Sequence, residues 1–440
     1  MLPSQISVMS KNRSIGNALK FMSGNIIVFS ITGLLGNFAR SMVFPYASLY
    51  IMALGGNAQK IGLVNFLRPL AGLIVFPIAG YIADGTGRVK LIVLGNYLSV
   101  AFILMYVLAP RWEIIAIAAL LQGLSVLGFP PQSALIADSL SPADRGRGIA
   151  TMSTISSGLS IFAPYIAGVV VDLYGPNAGV RALYAAMTLL YLASAVIHVR
   201  FLKETMPNTE TRVKISSLPR VLRDAYGGMP TLLKQLPPSL LALAGVIVLG
   251  FMANGVASSF WVVFAVEEIG LSSSRWGFIL LVETALRLVM FIPGGLLVDR
   301  WGRAHSLLFA LLISLVSIPL FVFAKSFASV LLIRSAVAIA SAITIPACTA
   351  LMADTVPREI RARVMAAIGQ GGFMLGSAGG GTGGPGVGFL ITLPLMMASL
   401  AGGYLYAQNP AYPWFFVLIT TTLSIVLTAF FIRDPKNAEI

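Results

Sequence analysis

Five ionisable side chains lie inside long apolar stretches of the sequence, where a charge is unfavourable. These residues are Arg40, Arg68, Glu283, Arg287 and Arg334. Each charge costs about 2.5–3.5 kcal/mol at the centre of a membrane helix on insertion scales, so an ionisable residue there is expected to have a partner and a function. Glu283 and Arg287 are one helical turn apart and share one face of a helix. The pattern predicts ion pairing at this level, and proton chemistry at Glu283.

Glu283 is the one carboxylate of this set, and we expect it to exchange an arginine partner, Arg287 or Arg68, for a proton. The alternative is an ion pair that only holds two parts of the protein together. Four arginines against one glutamate leave a net charge of +3, which favours an anionic group on a solute. The candidates for lining a solute cavity are Arg40, Arg68, Gln122, Asn254, Trp261, Arg287 and Arg334.

The composition indicates that membrane-spanning helices place these residues. Of 440 residues, 57% are hydrophobic and 10% are charged, whereas a soluble protein carries about 25% charged residues. A helix needs about 20 apolar residues to cross the hydrocarbon core. Twelve such segments occur, at residues 25–54, 61–83, 91–110, 114–139, 149–174, 182–202, 239–266, 276–298, 306–325, 328–353, 364–407 and 412–433. We therefore predict an all-α membrane protein with twelve transmembrane helices.

Basic residues are concentrated in alternate loops, and an excess of Lys and Arg marks the cytoplasmic side of a membrane protein. Both termini and the long polar stretch 203–234 belong to this basic set. We expect a multi-pass protein of the cell membrane with both termini in the cytoplasm. The net charge of +14 follows from this topology. We expect the protein to interact with the lipid bilayer and not with a nucleic acid.

Two loop patterns occur twice in the chain. The first reads Gly80-x-x-x-Asp84-x-x-Gly87-Arg88 and returns as Gly295-x-x-x-Asp299-x-x-Gly302-Arg303, a shift of 215 in the numbering. The second joins Asp138 with Arg145 and returns as Asp354 with Arg361, a shift of 216. Two matches at nearly the same shift predict two duplicated, pseudo-symmetric six-helix halves.

The predicted domain boundaries follow from this duplication. The two halves cover residues 25–203 and 238–433, and a cytoplasmic central loop of residues 204–237 joins them. Short cytoplasmic segments, residues 1–24 and 434–440, flank the halves.

The loop patterns, with Lys90 after the first copy, closely resemble the signature loop of the major facilitator superfamily. The resemblance extends over the whole chain, through the twelve segments, the central loop and the duplication. It implies two halves that rock about a site near the middle of the membrane. Gly80 and Gly295 are expected to let two helices approach closely, and Gly87 and Gly302 to permit a tight turn.

The resemblance also implies a cytoplasmic gate, because in this family the loop charges form a network that closes the cytoplasmic side. Asp84 and Asp299 are expected to pair with neighbouring arginines, and aspartates at the ends of the fourth and tenth helices to join them. The alternative is that these charges only set the topology. The gate candidates are Gly80, Asp84, Gly87, Arg88, Asp138, Arg145, Gly295, Asp299, Gly302, Arg303, Asp354 and Arg361.

The fifth helix keeps part of a pattern that exporters of this family carry. The pattern Gly-x-x-x-Gly-Pro-x-x-Gly-Gly is reduced to Leu159-x-x-x-Ala163-Pro164-x-x-Ala167-Gly168. The alanines still allow close helix packing. This remnant favours export by antiport over uptake.

A glycine-rich run near residues 372–388 sets the eleventh helix apart from the fifth. Matching Gly168 with Gly402 raises the shift from 216 to 234, which implies an insertion of about 18 residues. Such a run is a poor helix. We expect either a mobile loop at the cytoplasmic end or a helix break that lines the cavity.

Together these features predict a secondary active transporter that moves a small organic solute by alternating access. We expect a proton as the coupling ion, efflux of drug-like or anionic metabolites, and a monomer without cofactor or metal. The alternatives are proton-coupled or facilitative uptake of a sugar or organic anion, and a solute sensor that does not transport. An enzyme is not expected, because the sequence has one cysteine, Cys348, and no nucleotide-binding or nucleophile motif.

Overall fold

In a computed structural model of the protein, the secondary structure of the described residues is helical. These residues are 22–205, 218–227, 236–356, 364, 367–369, 372–378 and 388–434. The first half contains helices α1 to α6. Helix α1 comprises Asn25–Val43, Phe44–Tyr46 and Ala47–Ala53, helix α2 is Ala58–Thr86, and helix α3 is Arg88–Leu108. Helix α4 comprises Trp112–Gln122, Gly123–Gly128 and Phe129–Asp138. Helix α5 comprises Arg145–Gly158, Leu159–Ile161 and residues 163–174, and helix α6 is residues 176–201.

The second half contains helices α7 to α12, and a short linker helix, Leu218–Gly227, lies between the halves. The bounds are Pro238–Ala257 followed by Trp261–Glu267 for α7, Ser273–Trp301 for α8, Arg303–Leu320 followed by Phe321–Phe323 for α9, Phe327–Thr355 for α10, Phe389–Gln408 for α11 and Tyr412–Phe431 for α12. The linker helix was not expected from the sequence.

Twelve membrane spans are present among the described residues, as the sequence predicts. Eleven segments are long and apolar enough to cross a membrane, and one of them, Arg145–Phe201, has 57 residues. A helix of that length would extend about 85 Å, far more than the hydrocarbon core of about 30 Å. Gly175, with φ 76°, interrupts it. The segment therefore forms two spans, α5 and α6.

The helices form two packed groups that meet along two pairs of helices. Helices α2 and α11 pack together, and so do α5 and α8. We name the two ends of the bundle by their turns. The motif end carries the turns at Gly87 and Gly302, and the opposite end carries the turns at Gly55 and Gly270. The largest apolar core cluster extends through both groups.

The repeat is visible in how the helices begin at the opposite end. The Asn57 side chain accepts a hydrogen bond from the Lys60 amide at the start of α2, and the Ser272 side chain accepts one from the Arg275 amide at the start of α8. Asn and Ser are favoured at this position because they satisfy a helix amide that has no backbone partner. The two caps are related by the same shift as the first loop pattern.

Helix α11 is shorter than the apolar segment 364–407 predicts. Its regular part begins at Phe389, and residues 364, 367 and 368 are also helical. Residues 372–378 between them are described and not helical. The glycine-rich run therefore breaks the helix, because glycine is a poor helix former.

Candidate functional site

The two motif turns have the same backbone conformation. Gly87 has φ 87° and ψ 141°, and Gly302 has φ 87° and ψ 156°. Each glycine ends one long helix and precedes the first residue of the next. Only glycine adopts this conformation without strain, so the predicted tight turns are present in both halves.

A carboxylate from the end of each half caps the helix that follows its motif turn. Glu204 accepts a hydrogen bond from the Val89 amide at 2.9 Å. Asp434 accepts from the amides of Arg303 at 2.9 Å and Ala304 at 3.0 Å. A carboxylate is favourable there because helix N-terminal amides carry a partial positive charge.

Sequence reasoning missed both caps, although a signal for them exists. Leu202-Lys203-Glu204 returns as Ile432-Arg433-Asp434, a shift of 230 in the numbering. Because of the insertion before α11, this match has a larger shift in the numbering than the two loop patterns. The match is therefore hard to recognise as part of the same repeat.

The motif arginines form ion pairs within their own halves. Arg88 binds Asp138, and Arg303 binds Asp354. In this conformation Asp299 is exposed and Arg303 binds Asp354. The pairing of Asp299 with an arginine stays a prediction. The Asp84 side chain and Arg361 lie outside the described part of the structure.

The remaining gate candidates do not bring the halves together at the motif end. Arg145 donates to the carbonyl of Ala137 in its own half, at 3.1 Å. A Cβ at Gly80 or Gly295 would have no atom within 4 Å. The expected close helix approach at these glycines is therefore absent, because the helices are apart at this end.

At the opposite end the halves are in tight contact. A Cβ at Gly62 on α2 would lie 2.8 Å from the carbonyl oxygen of Ser399 on α11, and a Cβ at Gly277 on α8 would collide with the carbonyl of Pro164 on α5. Gly62 and Gly277 are repeat mates, related by the same shift as Gly80 and Gly295. No side chain larger than hydrogen fits at either place without moving the backbone.

These contacts correct the predicted length of the insertion. Gly168 packs on the carbonyl of Ser273, and Gly403 packs on the carbonyl of Ala58, with a Cβ at Gly403 lying 2.7 Å from that oxygen. Ala58 and Ser273 are repeat mates. Gly168 therefore matches Gly403, and not Gly402 as the sequence suggests. The shift becomes 235, which implies an insertion of about 20 residues relative to the first loop pattern.

Polar bonds reinforce the contact between α5 and α8. The Asp172 carboxylate accepts hydrogen bonds from the amides of Ser273 at 2.8 Å and Ser274 at 2.9 Å. The Tyr46 hydroxyl donates to the carbonyls of Pro164 at 2.7 Å and Ser273 at 3.1 Å. These bonds join the first half to the start of α8.

Glu283 forms a buried ion pair with Arg334 of α10. Arg334 donates from Nε at 2.9 Å and from Nη2 at 2.6 Å, both to Glu283 Oε2. Arg334 is 0% exposed and Glu283 is 7% exposed. The predicted partners, Arg287 and Arg68, were wrong. Helical spacing places Glu283 and Arg287 on one face, but it does not show which neighbouring helix that face meets.

The glycine-rich segment accepts a further hydrogen bond from Arg334. Arg334 Nη1 donates to the carbonyl oxygen of Gly376 at 2.7 Å, and its guanidinium lies over the ring of Trp261 at 4.4 Å. Phe373 and Leu375 are buried. Residues 373–378 are buried or half-buried inside the second half, whereas Gly372 is exposed. Residues 379–387 lie outside the described residues, and the mobility of the loop stays a prediction.

The other arginines have different surroundings. Arg40 donates to the Tyr191 hydroxyl at 2.9 Å and to the side chain of Asn37, so it is held between α1 and α6. Arg68 lies 5.2 Å from the ring centre of Phe44 and close to the side chain of Tyr106.

Arg287 lies near the middle of α8, is half-buried and forms no ion pair with Glu283 among the described contacts. It shares the face of Gly294, which packs against the Ala342 carbonyl of α10. This leaves Arg287 one turn from the buried pair, on the side of α8 that faces α10.

The remaining cavity candidates divide between the halves. Gln122 accepts a hydrogen bond from the Tyr106 hydroxyl at 3.3 Å and is half-buried. Trp261 and Asn254 are 0% and 1% exposed. Arg334 is buried as well, so all three are enclosed in this conformation, and their role in lining a solute cavity stays a prediction.

The family model of the Major Facilitator Superfamily matches residues 29–282 and 243–439. The chain belongs to the major facilitator superfamily. The two matches overlap and together cover both six-helix halves.

Two curated relatives show the level of similarity. The chain is 27% identical over 354 residues to multidrug resistance protein MdtG of Enterobacter lignolyticus (strain SCF1), covering 77% of this chain and 80% of that protein. It is 23% identical over 394 residues to multidrug resistance protein 1 of Bacillus subtilis (strain 168), covering 88% and 91%.

Solved structures share the fold at lower identity. The nucleoside transporter NupG matches with a TM-score of 0.62 at 15% identity, covering 92% of this chain and 98% of that chain. A bacterial homolog to human lysosomal transporter Spinster, in an inward-facing and occupied conformation, matches with a TM-score of 0.64 at 15% identity, covering 92% and 95%. Its membership of the major facilitator superfamily and its apolar helices make this protein a multi-pass membrane transporter.

Proposed function

We propose that the protein is a secondary transporter of the cell membrane that exports a small organic solute in exchange for protons. Its two halves rock about a central site and open it to one side at a time. The motif end is assigned to the cytoplasm because Lys and Arg are concentrated in its loops. Both termini are assigned to the same side, and the functional unit is a monomer.

The observation that carries this proposal is the one-sided contact between the halves. At the opposite end, Gly62 and Gly277 lie against backbone carbonyls of the other half. At the motif end, Gly80 and Gly295 on the same two helices have open space beside them. Close packing at one end and separation at the other is the arrangement expected of a transporter that is open to the cytoplasm. In the other state, the separation is expected at the opposite end.

The motif loops are assigned the closing role in that other state. Asp84 and Asp299 then pair with arginines across the interface, where Arg145 and Arg361 are the candidates. The ion pairs of Arg88 with Asp138 and of Arg303 with Asp354 keep each loop in place within its half.

Proton coupling is assigned to Glu283. In the present state its carboxylate is ionised and paired with Arg334, so the pair is neutral. Protonation of the carboxylate leaves a carboxylic acid beside a buried guanidinium, and the net charge of the pair becomes +1. A buried charge is unfavourable unless partners stabilise it, so protonation favours a conformation that admits water or an anionic group near Arg334. This links proton uptake to movement of the halves.

The solute is assigned to drug-like organic compounds, and an anionic group is favoured. Both curated relatives carry multidrug resistance in their names. Arg334 is paired with Glu283, and three further arginines lie in the membrane-spanning helices, namely Arg40, Arg68 and Arg287. Cationic charge of this kind attracts anions to a partly enclosed site.

The test is transport in proteoliposomes with an imposed pH gradient. Carboxyfluorescein serves as an anionic probe, ethidium as a cationic probe, and entrapped pyranine reports internal pH. The wild-type protein is expected to move at least one probe against its gradient while it dissipates the pH gradient. Glu283→Gln should retain probe exchange and lose the response to pH. Glu268→Gln, an exposed carboxylate at the opposite end, should behave as wild type.

Other outcomes reject specific parts of the proposal. Accumulation driven by the gradient in folded Glu283→Gln would remove Glu283 as the proton carrier. Transport directed inward under a physiological gradient would favour uptake over export. Probe binding without any movement would favour a sensor.

A further inference from the structure

We propose that Gly376 is a positioning residue of the coupling pair, and that its carbonyl oxygen holds Arg334 while Glu283 carries the proton. The inference rests on the proposed role of Glu283. It gives the inserted glycine-rich segment a function, namely that of an internal hydrogen-bond acceptor for a buried arginine.

Two departures from the internal repeat meet at this single hydrogen bond. Arg334 has Ala119 as its repeat mate, so the buried arginine occurs in the second half only. The insertion before α11 also occurs in the second half only, because α5 continues from Arg145–Gly158 through one short turn. The extra charge and the extra segment contact each other. A shared role explains why both are found in the same half.

The guanidinium of Arg334 is held by three different parts of the second half. Its Nε and Nη2 bind Glu283 of α8, its Nη1 binds Gly376, and its face lies on Trp261 of α7. Of these partners, only Glu283 can lose its charge by taking up a proton. Gly376 and Trp261 are neutral, and their interactions with a cation persist in either state.

The backbone at Gly376 is fixed by its neighbours. Gly376 has φ 72°, which a residue with a side chain rarely adopts. A Cβ there would lie 2.9 Å from Val337 Cγ1 of α10 and 3.1 Å from Ile318 Cδ1 of α9. The segment is anchored on its other side by Phe373, whose ring would lie 2.6 Å from a Cβ at Gly250 of α7. The carbonyl is therefore aimed at Arg334 by packing on three helices.

The proton balance of the step is simple. A hydronium ion transfers a proton to the Glu283 carboxylate: one O–H bond of hydronium breaks, one O–H bond forms on the carboxyl group, a neutral water molecule is left, and Arg334 stays a guanidinium. The ionic attraction between Glu283 and Arg334 is lost in that step. The Gly376 carbonyl then supplies the remaining strong acceptor, so Arg334 keeps its place inside the protein and the protonated state is accessible.

The experiment compares Gly376→Ala with Gly372→Ala in the proteoliposome assay, with carboxyfluorescein and ethidium as probes. Gly372 is exposed, has no positive φ and has no atom within 4 Å of a Cβ, so alanine fits there. Gly376→Ala should lower transport driven by the pH gradient about tenfold and leave exchange without a gradient within about twofold, since one buried hydrogen bond to a charged group is lost. Gly372→Ala should match wild type in both assays.

A second variant covers the case in which Gly376→Ala does not fold. Val337→Leu crowds Gly376 from α10 without changing the glycine, and it should cause the same selective loss. A further comparison places Gly376→Ala in the neutral background Glu283→Gln/Arg334→Met. There it should lower thermal stability less than in the wild-type background, because the arginine that needs the carbonyl is gone and only the strain of a side chain at φ 72° remains.

Three results would overturn the inference. They are equal gradient-driven transport in Gly376→Ala and Gly372→Ala, equal loss of exchange and gradient-driven transport in Gly376→Ala, and an undiminished effect of Gly376→Ala in the neutral background. Failure of the proposed function is distinguishable, because the wild-type protein would then show no response to the pH gradient at all.

Discussion

The two halves of the protein have the same features at the ends of their helices and different residues at the centres, in the middle of the membrane-spanning helices. At the motif end both halves use a glycine with φ 87° to turn, a carboxylate to cap the next helix, and an arginine–aspartate pair to hold the loop. At the opposite end, Gly62 and its repeat mate Gly277 lie on backbone carbonyls of the other half. These features occur at matching positions because the two halves are duplicated in the sequence.

The centres contain different chemistry at matching positions. In the first half Arg68 lies near Phe44 and Tyr106. In the second half the repeat mate of Arg68 is Glu283, which is buried against Arg334. In the proposed mechanism, the symmetric positions supply the framework that moves, and the asymmetric positions carry the charge chemistry. We expect variants at symmetric positions to act alike in the two halves, and variants at the centres to act differently.

The largest effect is expected from breaking the buried pair. Arg334→Met should lower the free energy of unfolding by about 3–5 kcal/mol, because it leaves the Glu283 carboxylate buried without its cation. The measurement is reversible unfolding in mixed micelles. Arg68→Met should cost about 1 kcal/mol, because it removes interactions with the neutral side chains of Phe44 and Tyr106.

The matched control for this prediction removes both charges. Glu283→Gln/Arg334→Met should recover most of the lost stability, since a neutral pair needs little stabilisation. If Arg334→Met and Arg68→Met cost the same, the contrast between the two centres would be wrong.

The next effect is expected at the symmetric contacts between the halves. Gly62→Trp and Gly277→Trp should each disfavour closure of the opposite end by about 1–3 kcal/mol, because overpacking of a tight contact costs that much. Spin labels at Ala53 and Asn409, exposed residues of different halves at the opposite end, should move apart in both variants. Gly295→Trp, on α8 but in open space, is the control and should leave the distance unchanged.

A smaller and equal effect is expected at the two capping carboxylates. Glu204→Gln and Asp434→Asn should each cost about 1 kcal/mol of unfolding free energy, as lost helix caps do. Asp299→Asn is the control, since its exposed side chain makes no described ion pair, and it should stay within about 0.5 kcal/mol of wild type. Unequal costs at Glu204 and Asp434 would show that the two motif ends are not equivalent.

The smallest effect on stability is expected at the motif ion pairs. Asp138→Asn and Asp354→Asn should each cost less than about 1 kcal/mol, because partly exposed ion pairs contribute little. They should instead change the motif loops, which is measured by cysteine labelling at Lys90. Large losses of stability in these variants would assign the pairs a structural role.

The sequence was sufficient for the fold because its signals are local or periodic. Apolar segments of spanning length mark the helices, and the loop motif that occurs once in each half marks the duplication. The turns at Gly87 and Gly302 could be predicted because glycine has a specific backbone role there.

The partners inside the bundle could not be predicted in the same way. Helical spacing places Glu283 and Arg287 on one face, but packing against α10 gives Glu283 to Arg334. The glycine composition of the segment near Gly376 indicates a poor helix. It does not reveal that one of its carbonyls is needed by a buried charge, because that depends on contacts distant in sequence.

The most direct test of proton-coupled rocking measures both ends of the molecule at once. One pair of spin labels at Ala53 and Asn409 reports the opposite end, and a second pair at Lys90 and Arg300 reports the motif end; all four residues are exposed. Distances are recorded in lipid nanodiscs over a range of pH. In the wild-type protein the two distances should change in opposite directions as Glu283 is protonated, and in Glu283→Gln both should be independent of pH. Distances that change in the same direction would exclude rocking, and a pH response that persists in Glu283→Gln would exclude coupling through this carboxylate.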